Sequence, residues 1–107
     1  MSLANRVALV TGGGRGIGQA ISVALAEDGA SVAINYRRDE TAANETVAAI
    51  EAVGGVASAY CASVDQYEED REMVAAIEAD LGAVSILVNN AGIASRGLSV
   101  ADTDPDE

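Results

Sequence analysis

The 107-residue chain contains no lysine and no histidine, one cysteine, and three tyrosines as its only aromatic side chains. Each shortage excludes something. Without lysine there is no P-loop, because that motif needs a lysine beside its last glycine to reach phosphate. The single cysteine, Cys61, forms no intrachain disulfide, which suits a reducing, cytoplasmic compartment, and its apolar neighbours read as those of a small core side chain rather than a nucleophile. Six basic residues against seventeen acidic ones leave a formal net charge of −11. Such a field repels phosphate polymers and anionic lipid, so no nucleic acid and no membrane surface is expected as a partner, and any bound anion must be held locally. No apolar run approaches the roughly 20 residues that span a bilayer, and no basic segment followed by a long apolar stretch and a cleavage site opens the chain. What is present is one small domain, 50% hydrophobic, with enough apolar surface for a core without staples.

Four apolar runs, at 6–10, 31–36, 56–61 and 84–89, alternate with three stretches of helical period. The first stretch repeats through Ile17, Ile21, Ala24 and Leu25, the second through Ala43, Val47 and Ile50, the third through Val74, Ile77 and Leu81. Gly29, Gly54 and Gly82 follow these stretches where left-handed caps belong, and Asp39 or Thr41 and Asp65 or Gln66 stand where the second and third helices need N-caps. The order β-α-β-α-β-α-β, with strands apolar on both faces, predicts an α/β fold. Its form is a doubly wound parallel sheet, Rossmann-like, with strand order 3-2-1-4 and truncated after the fourth strand. A sheet ending there is expected to leave Ile86 and Val88 on an unpaired edge.

Between the first strand and the first helix lies Thr11-Gly12-Gly13-Gly14-Arg15-Gly16-Ile17-Gly18. Glycines at 12, 16 and 18 suit a tight turn, close approach of the backbone to a pyrophosphate, and packing of helix on strand, while the helix N-terminus offers free N–H groups to an anion. In a doubly wound sheet the ligand crevice lies at the carboxyl ends of strands one and four. The second of those ends carries Asn89-Asn90-Ala91-Gly92, so two polar, glycine-containing loops converge where a dinucleotide would sit.

With these two segments at this separation, residues 6–99 resemble the short-chain dehydrogenase/reductase family, and the wording Gly13-Gly14-Arg15-Gly16-Ile17-Gly18 is similar to its 3-oxoacyl-acyl-carrier-protein reductases. The resemblance implies that residues Gly12, Gly13, Gly14, Arg15, Gly16, Ile17 and Gly18 hold the pyrophosphate and adenosine ribose. It also implies that Asn90, Ala91 and Gly92 back the cofactor and tie strand four to its neighbours. Asn89 is as readily a turn residue. Where strand two ends, an acidic residue would accept the ribose 2′-hydroxyl; this chain has Tyr36 followed by Arg37 and Arg38. Arg37, with Arg15, therefore points to NADP(H) over NAD(H), NAD remaining possible, whereas Arg38 is expected to pair with Asp39 or Glu40 on the surface. After strand three the family usually carries Asp-Val at the adenine. Here Ser63-Val64 replaces it, a weaker acceptor at the same place. The acidic run Asp65, Glu68, Glu69, Asp70 and Glu72 reads as a solvated helix start.

The family's hydride transfer to a carbonyl, or from an alcohol, also needs a serine, a Tyr-x-x-x-Lys pair and an asparagine beyond strand four. With no lysine anywhere, and with Tyr36, Tyr60 and Tyr67 all preceding Asn89, no catalytic residue can be assigned. Asp104-Pro105-Asp106-Glu107 reads as the start of a helix, cap and capping box included. The expectation is therefore the cofactor half of a longer NADP-dependent dehydrogenase/reductase of small carbonyl or alcohol substrates, inactive alone and tetrameric by family resemblance. The alternative is a short, non-catalytic dinucleotide-binding module acting as sensor or subunit.

Overall fold

The computed structural model describes residues 2–12, 14–63 and 66–90. Apolar and helical periods give β1 (Val7–Thr11), α1 (Gly16–Glu27), β2 (Ser31–Tyr36), α2 (Glu40–Ala52), β3 (Val56–Cys61), α3 (Tyr67–Asp80) and β4 (Ile86–Asn89). The strands pair in parallel throughout, in the order β3-β2-β1-β4, as right-handed crossovers require. Strand β1 begins and ends one residue later than its apolar run, and β4 is shorter than expected because residues 84 and 85 precede its regular pairing. Ser85 still reaches β1 through its N–H, which donates to the Val7 carbonyl at 2.9 Å, and through its hydroxyl, which accepts from Arg6 Nε at 2.8 Å.

Helix ends follow their local chemistry. Gly29, Gly54 and Gly82 adopt φ of 106°, 85° and 117° after the three helices, the left-handed region that strains any residue with a Cβ. Asp39 caps α2, its Oδ1 accepting from the Ala42 N–H at 3.0 Å. Gln66 stands at the start of α3 without a side-chain capping bond; the other candidate, Asp65, lies outside the described residues, as does the helix start expected at Asp104.

Residues of alternating parity send their side chains to opposite layers. Val10, Val32, Ile34 and Ala57 pack under α1 and α2 with Ala26, Ala43 and Ile50. Val7, Leu9 and Ala33 pack with Met73 and Ile77 of α3. Strands buried on both faces are found only at the centre: β1 is buried throughout and β2 in its middle four residues, whereas edge strand β3 buries only Ala57 and edge strand β4 alternates. Two expectations are corrected by this edge position. Cys61 is exposed, not a core residue, because it ends edge strand β3, where its Sγ lies 3.7 Å from the Arg37 carbonyl. At β4 the residue left bare is Leu87, 65% exposed, while Ile86 and Val88 are half-buried. The register explains it: Val88 pairs with Val10 on the α1/α2 side, and Leu87 pairs with Leu9 on the α3 side. Among the described residues no helix is long and apolar enough to cross a membrane.

Candidate cofactor-binding site

Parallel register sets Thr11 between Asn35 of β2 and Asn89 of β4 at the carboxyl end of the sheet. The Thr11 hydroxyl reaches Asn89 Oδ1 at 3.1 Å and the Val88 carbonyl at 3.3 Å. One residue on, Asn90 is 4% exposed and its Nδ2 donates to the Gly12 carbonyl at 3.1 Å. The loops after β1 and β4 are therefore joined, with Asn90 as the tie and Asn89 as a strand-end partner of Thr11. Ala91 and Gly92 lie outside the described residues.

Gly12 and Gly16 take φ of 65° and 51°, so the turn uses glycine where it bends. Helix α1 then starts with Arg15 as an extended N-cap whose side chain makes no capping bond, and its positive dipole end lies at the crevice. Among the described residues, a Cβ placed on Gly16 would meet no atom outside its own turn of helix within 4 Å, so that side of the turn is open to close approach. Gly18 is buried in α1 and Ile17, beside it, is 57% exposed. This is a cradle suited to a pyrophosphate.

Gly14 has a different setting. A Cβ there would stand 2.8 Å from the Ala43 nitrogen, and its carbonyl accepts from Thr46 Oγ1 at 3.2 Å. Gly14 thus lies against the backbone of α2, and Thr46, fully buried, holds the loop there. Thr46 was missed in the sequence, although its place in the buried row Ala43, Thr46, Ile50 marks a polar residue on an inward face. Asn35 was missed likewise: it is 3% exposed, and its Nδ2 donates to the Ala62 carbonyl at 3.0 Å, fastening β2 to the segment after β3. Gly13 lies outside the described residues.

At the end of β2, Arg37 and Arg38 are exposed. The expected pairing of Arg38 with Asp39 or Glu40 is not what forms. Asp39 Oδ2 pairs instead with Arg15 Nη1 at 3.3 Å, because its capping bond fixes the carboxylate at the start of α2, the helix on which the glycine loop rests. Among the described residues Arg37 and Arg38 belong to no ion pair. Beyond β3, the Ser63 N–H donates to Glu69 Oε1 at 2.9 Å, so one member of the acidic run anchors a loop rather than only facing solvent. Val64 is outside the described residues.

Two of the tyrosines hold their phenol protons more tightly than usual. Tyr60 donates to Asp80 Oδ2 at 2.9 Å, and burial, then that bond, pushes its phenol up to about 12. Tyr36 is raised by burial first and then by the charge of Glu40. Tyr67 is 75% exposed at the start of α3.

The family model for short chain dehydrogenases matches residues 6–107. The short-chain dehydrogenase/reductase homolog YusS of Bacillus subtilis (strain 168) is 50% identical over 93 residues, covering 87% of this chain and 85% of that protein. The 3-oxoacyl-acyl-carrier-protein reductase FabG of Staphylococcus epidermidis is 43% identical over 94 residues, which are 88% of this chain and 38% of the reductase. The crystal structure of a dehydrogenase/reductase from Sinorhizobium meliloti 1021 superposes with a TM-score of 0.80 at 42% identity, over 82% of this chain and 35% of that one. The chain thus spans most of YusS but little more than a third of the other two. The chain belongs to the short-chain dehydrogenase/reductase family.

Proposed function

We propose that the chain binds a nicotinamide dinucleotide across the carboxyl ends of β1 and β4, NADPH in preference to NADH, and serves hydride transfer between it and a carbonyl or alcohol substrate. The observation that carries this reading is the Asn90 bond to the Gly12 carbonyl, which unites the two loops beside the N-terminus of α1. In this reading Gly12, Gly13, Gly16, Ile17 and Gly18 face the pyrophosphate, Gly14 seats the loop on α2, and Asn90, Ala91 and Gly92 back the cofactor. Arg37 and Arg15 meet the 2′-phosphate, and Ser63 and Val64 meet adenine. The bound dinucleotide supplies the hydride; these residues hold and orient it. The likeness to FabG, a 3-oxoacyl-acyl-carrier-protein reductase, supports a 3-oxoacyl thioester as substrate, and the family resemblance favours a cytoplasmic tetramer as the working form. The proton must come from outside these 107 residues, which hold no lysine to lower a tyrosine's pKa.

Calorimetric titration of the purified chain with NADPH and NADH, beside turnover of NADPH with a panel of ketones, tests this. Saturable NADPH binding without turnover is expected. Robust turnover by the chain would contradict the missing roles of tyrosine and lysine. A second reading, a non-catalytic dinucleotide-binding sensor or subunit, is favoured by the match to 85% of YusS, a relative of similar size. The mass of the protein isolated from its native cells separates the two, since a mass matching 107 residues supports the module.

A further inference from the structure

Asp39 uses both carboxylate oxygens at once: Oδ1 accepts from the Ala42 N–H at 3.0 Å and caps α2, while Oδ2 holds Arg15 Nη1 at 3.3 Å. One side chain therefore joins the N-cap of α1 to the N-cap of α2. These are the segments between which the adenosine ribose lies if the chain binds a dinucleotide, and the inference rests on that reading. We propose that Asp39 is a specificity-determining residue that acts through Arg15, withholding part of its guanidinium from a 2′-phosphate and so narrowing the preference for NADPH over NADH.

The physical case is one of competing anions. Side chains of the pair are 74% and 43% exposed, so the bridge adds little to stability and can be broken by a stronger partner. A 2′-phosphate is such a partner, carrying up to two charges and three acceptor oxygens. It must nevertheless displace or share a guanidinium that a fixed carboxylate already neutralises, and that carboxylate cannot withdraw because its other oxygen is committed to the helix cap. NADH brings no phosphate to this position and meets no such competition. Arg37 and Arg38, in no ion pair among the described residues, keep their charge for the phosphate, which is why the preference is narrowed rather than reversed.

Asp39→Asn separates the two duties, since an asparagine Oδ1 caps a helix as well as aspartate does but leaves Arg15 unneutralised. The test is titration of the full chain with NADPH, NADH and adenosine 2′,5′-bisphosphate for the wild type, Asp39→Asn, Arg15→Gln and the double variant, with melting temperatures alongside. Asp39→Asn should raise NADPH affinity relative to NADH by about fivefold, as expected for an exposed charge facing a dianion. The bisphosphate should follow NADPH, the gain should shrink in high salt, and it should vanish in the double variant. Asp39→Ser, which also caps, repeats the experiment if the asparagine variant melts early. An NADPH to NADH ratio that is unchanged or lowered, or a gain that persists without Arg15, overturns the proposal. A wild type that binds neither dinucleotide overturns the cofactor reading itself, and the role of Asp39 falls with it.

Discussion

At Arg37 the backbone leaves β2 with an exposed guanidinium that belongs to no ion pair among the described residues. Arg37→Asp should weaken NADPH binding at least about tenfold and spare NADH, since a guanidinium–phosphate contact is worth roughly 1.5 to 3 kcal/mol; equal losses for both cofactors in a titration would contradict the assignment. Tyr60 gives a pH signature. Its folded pKa of about 12 lies above the ordinary 10.0, so the stability it contributes is complete below pH 10 and is lost as pH rises towards 12. Tyr60→Phe should cost about 1 kcal/mol at neutral pH, and denaturant midpoints of the two proteins should converge across that alkaline window. A constant gap would show that the phenol's proton is not what Asp80 holds. Some of these residues were legible beforehand and others were not. Gly12, Gly16 and Asn90 announce themselves because only glycine suits their turns and only a polar side chain ends an apolar strand so abruptly. Thr46, Asn35 and the pairing of Arg15 with Asp39 depend on which helix the glycine loop rests against, a tertiary fact with no local period.

Among the elements, the order, the parallel pairing and the three glycine caps could be read from period and punctuation alone, because local propensity and global fold agree there. The edges could not. Burial of β3 and β4 is decided by what lies next to them, so Cys61 and Leu87 are exposed despite apolar sequence neighbours. The seat of the glycine loop on α2 is the element-scale contact most open to test. In Gly14→Ala the new Cβ would lie 2.8 Å from the Ala43 nitrogen, and backbone, unlike a flexible side chain, yields only by moving a helix. The variant should lose about 1 to 3 kcal/mol in thermal unfolding, the usual cost of overpacking. An unaltered melting curve would mean that loop and helix do not touch as described.

Across the whole molecule, two features meet at the sheet's carboxyl end. Three of the six arginines, Arg15, Arg37 and Arg38, stand on the loops there, although the chain's formal charge is −11; local donors rather than the overall field must hold an anion. On the α3 face beside β4, Leu9, Thr11, Asp70, Val74, Val84, Leu87 and Asn89 line an open cavity of about 370 Å³, where the sheet continues past the cover of its one helix. Among the described residues the loops after β1 and β4 are thus tied together, while the sheet is bare on the α3 side of β4. The most direct test of that account is a calorimetric titration with NADPH of the wild-type chain against Gly16→Ala. A methyl at Gly16 meets no atom outside its own turn of helix within 4 Å among the described residues and carries a left-handed backbone cost of roughly 1 to 2 kcal/mol, yet it stands where the proposed pyrophosphate must approach. Saturable binding by the wild type, lost in a variant that still folds, is the predicted result; no binding by the wild type, or equal binding by both, would contradict it.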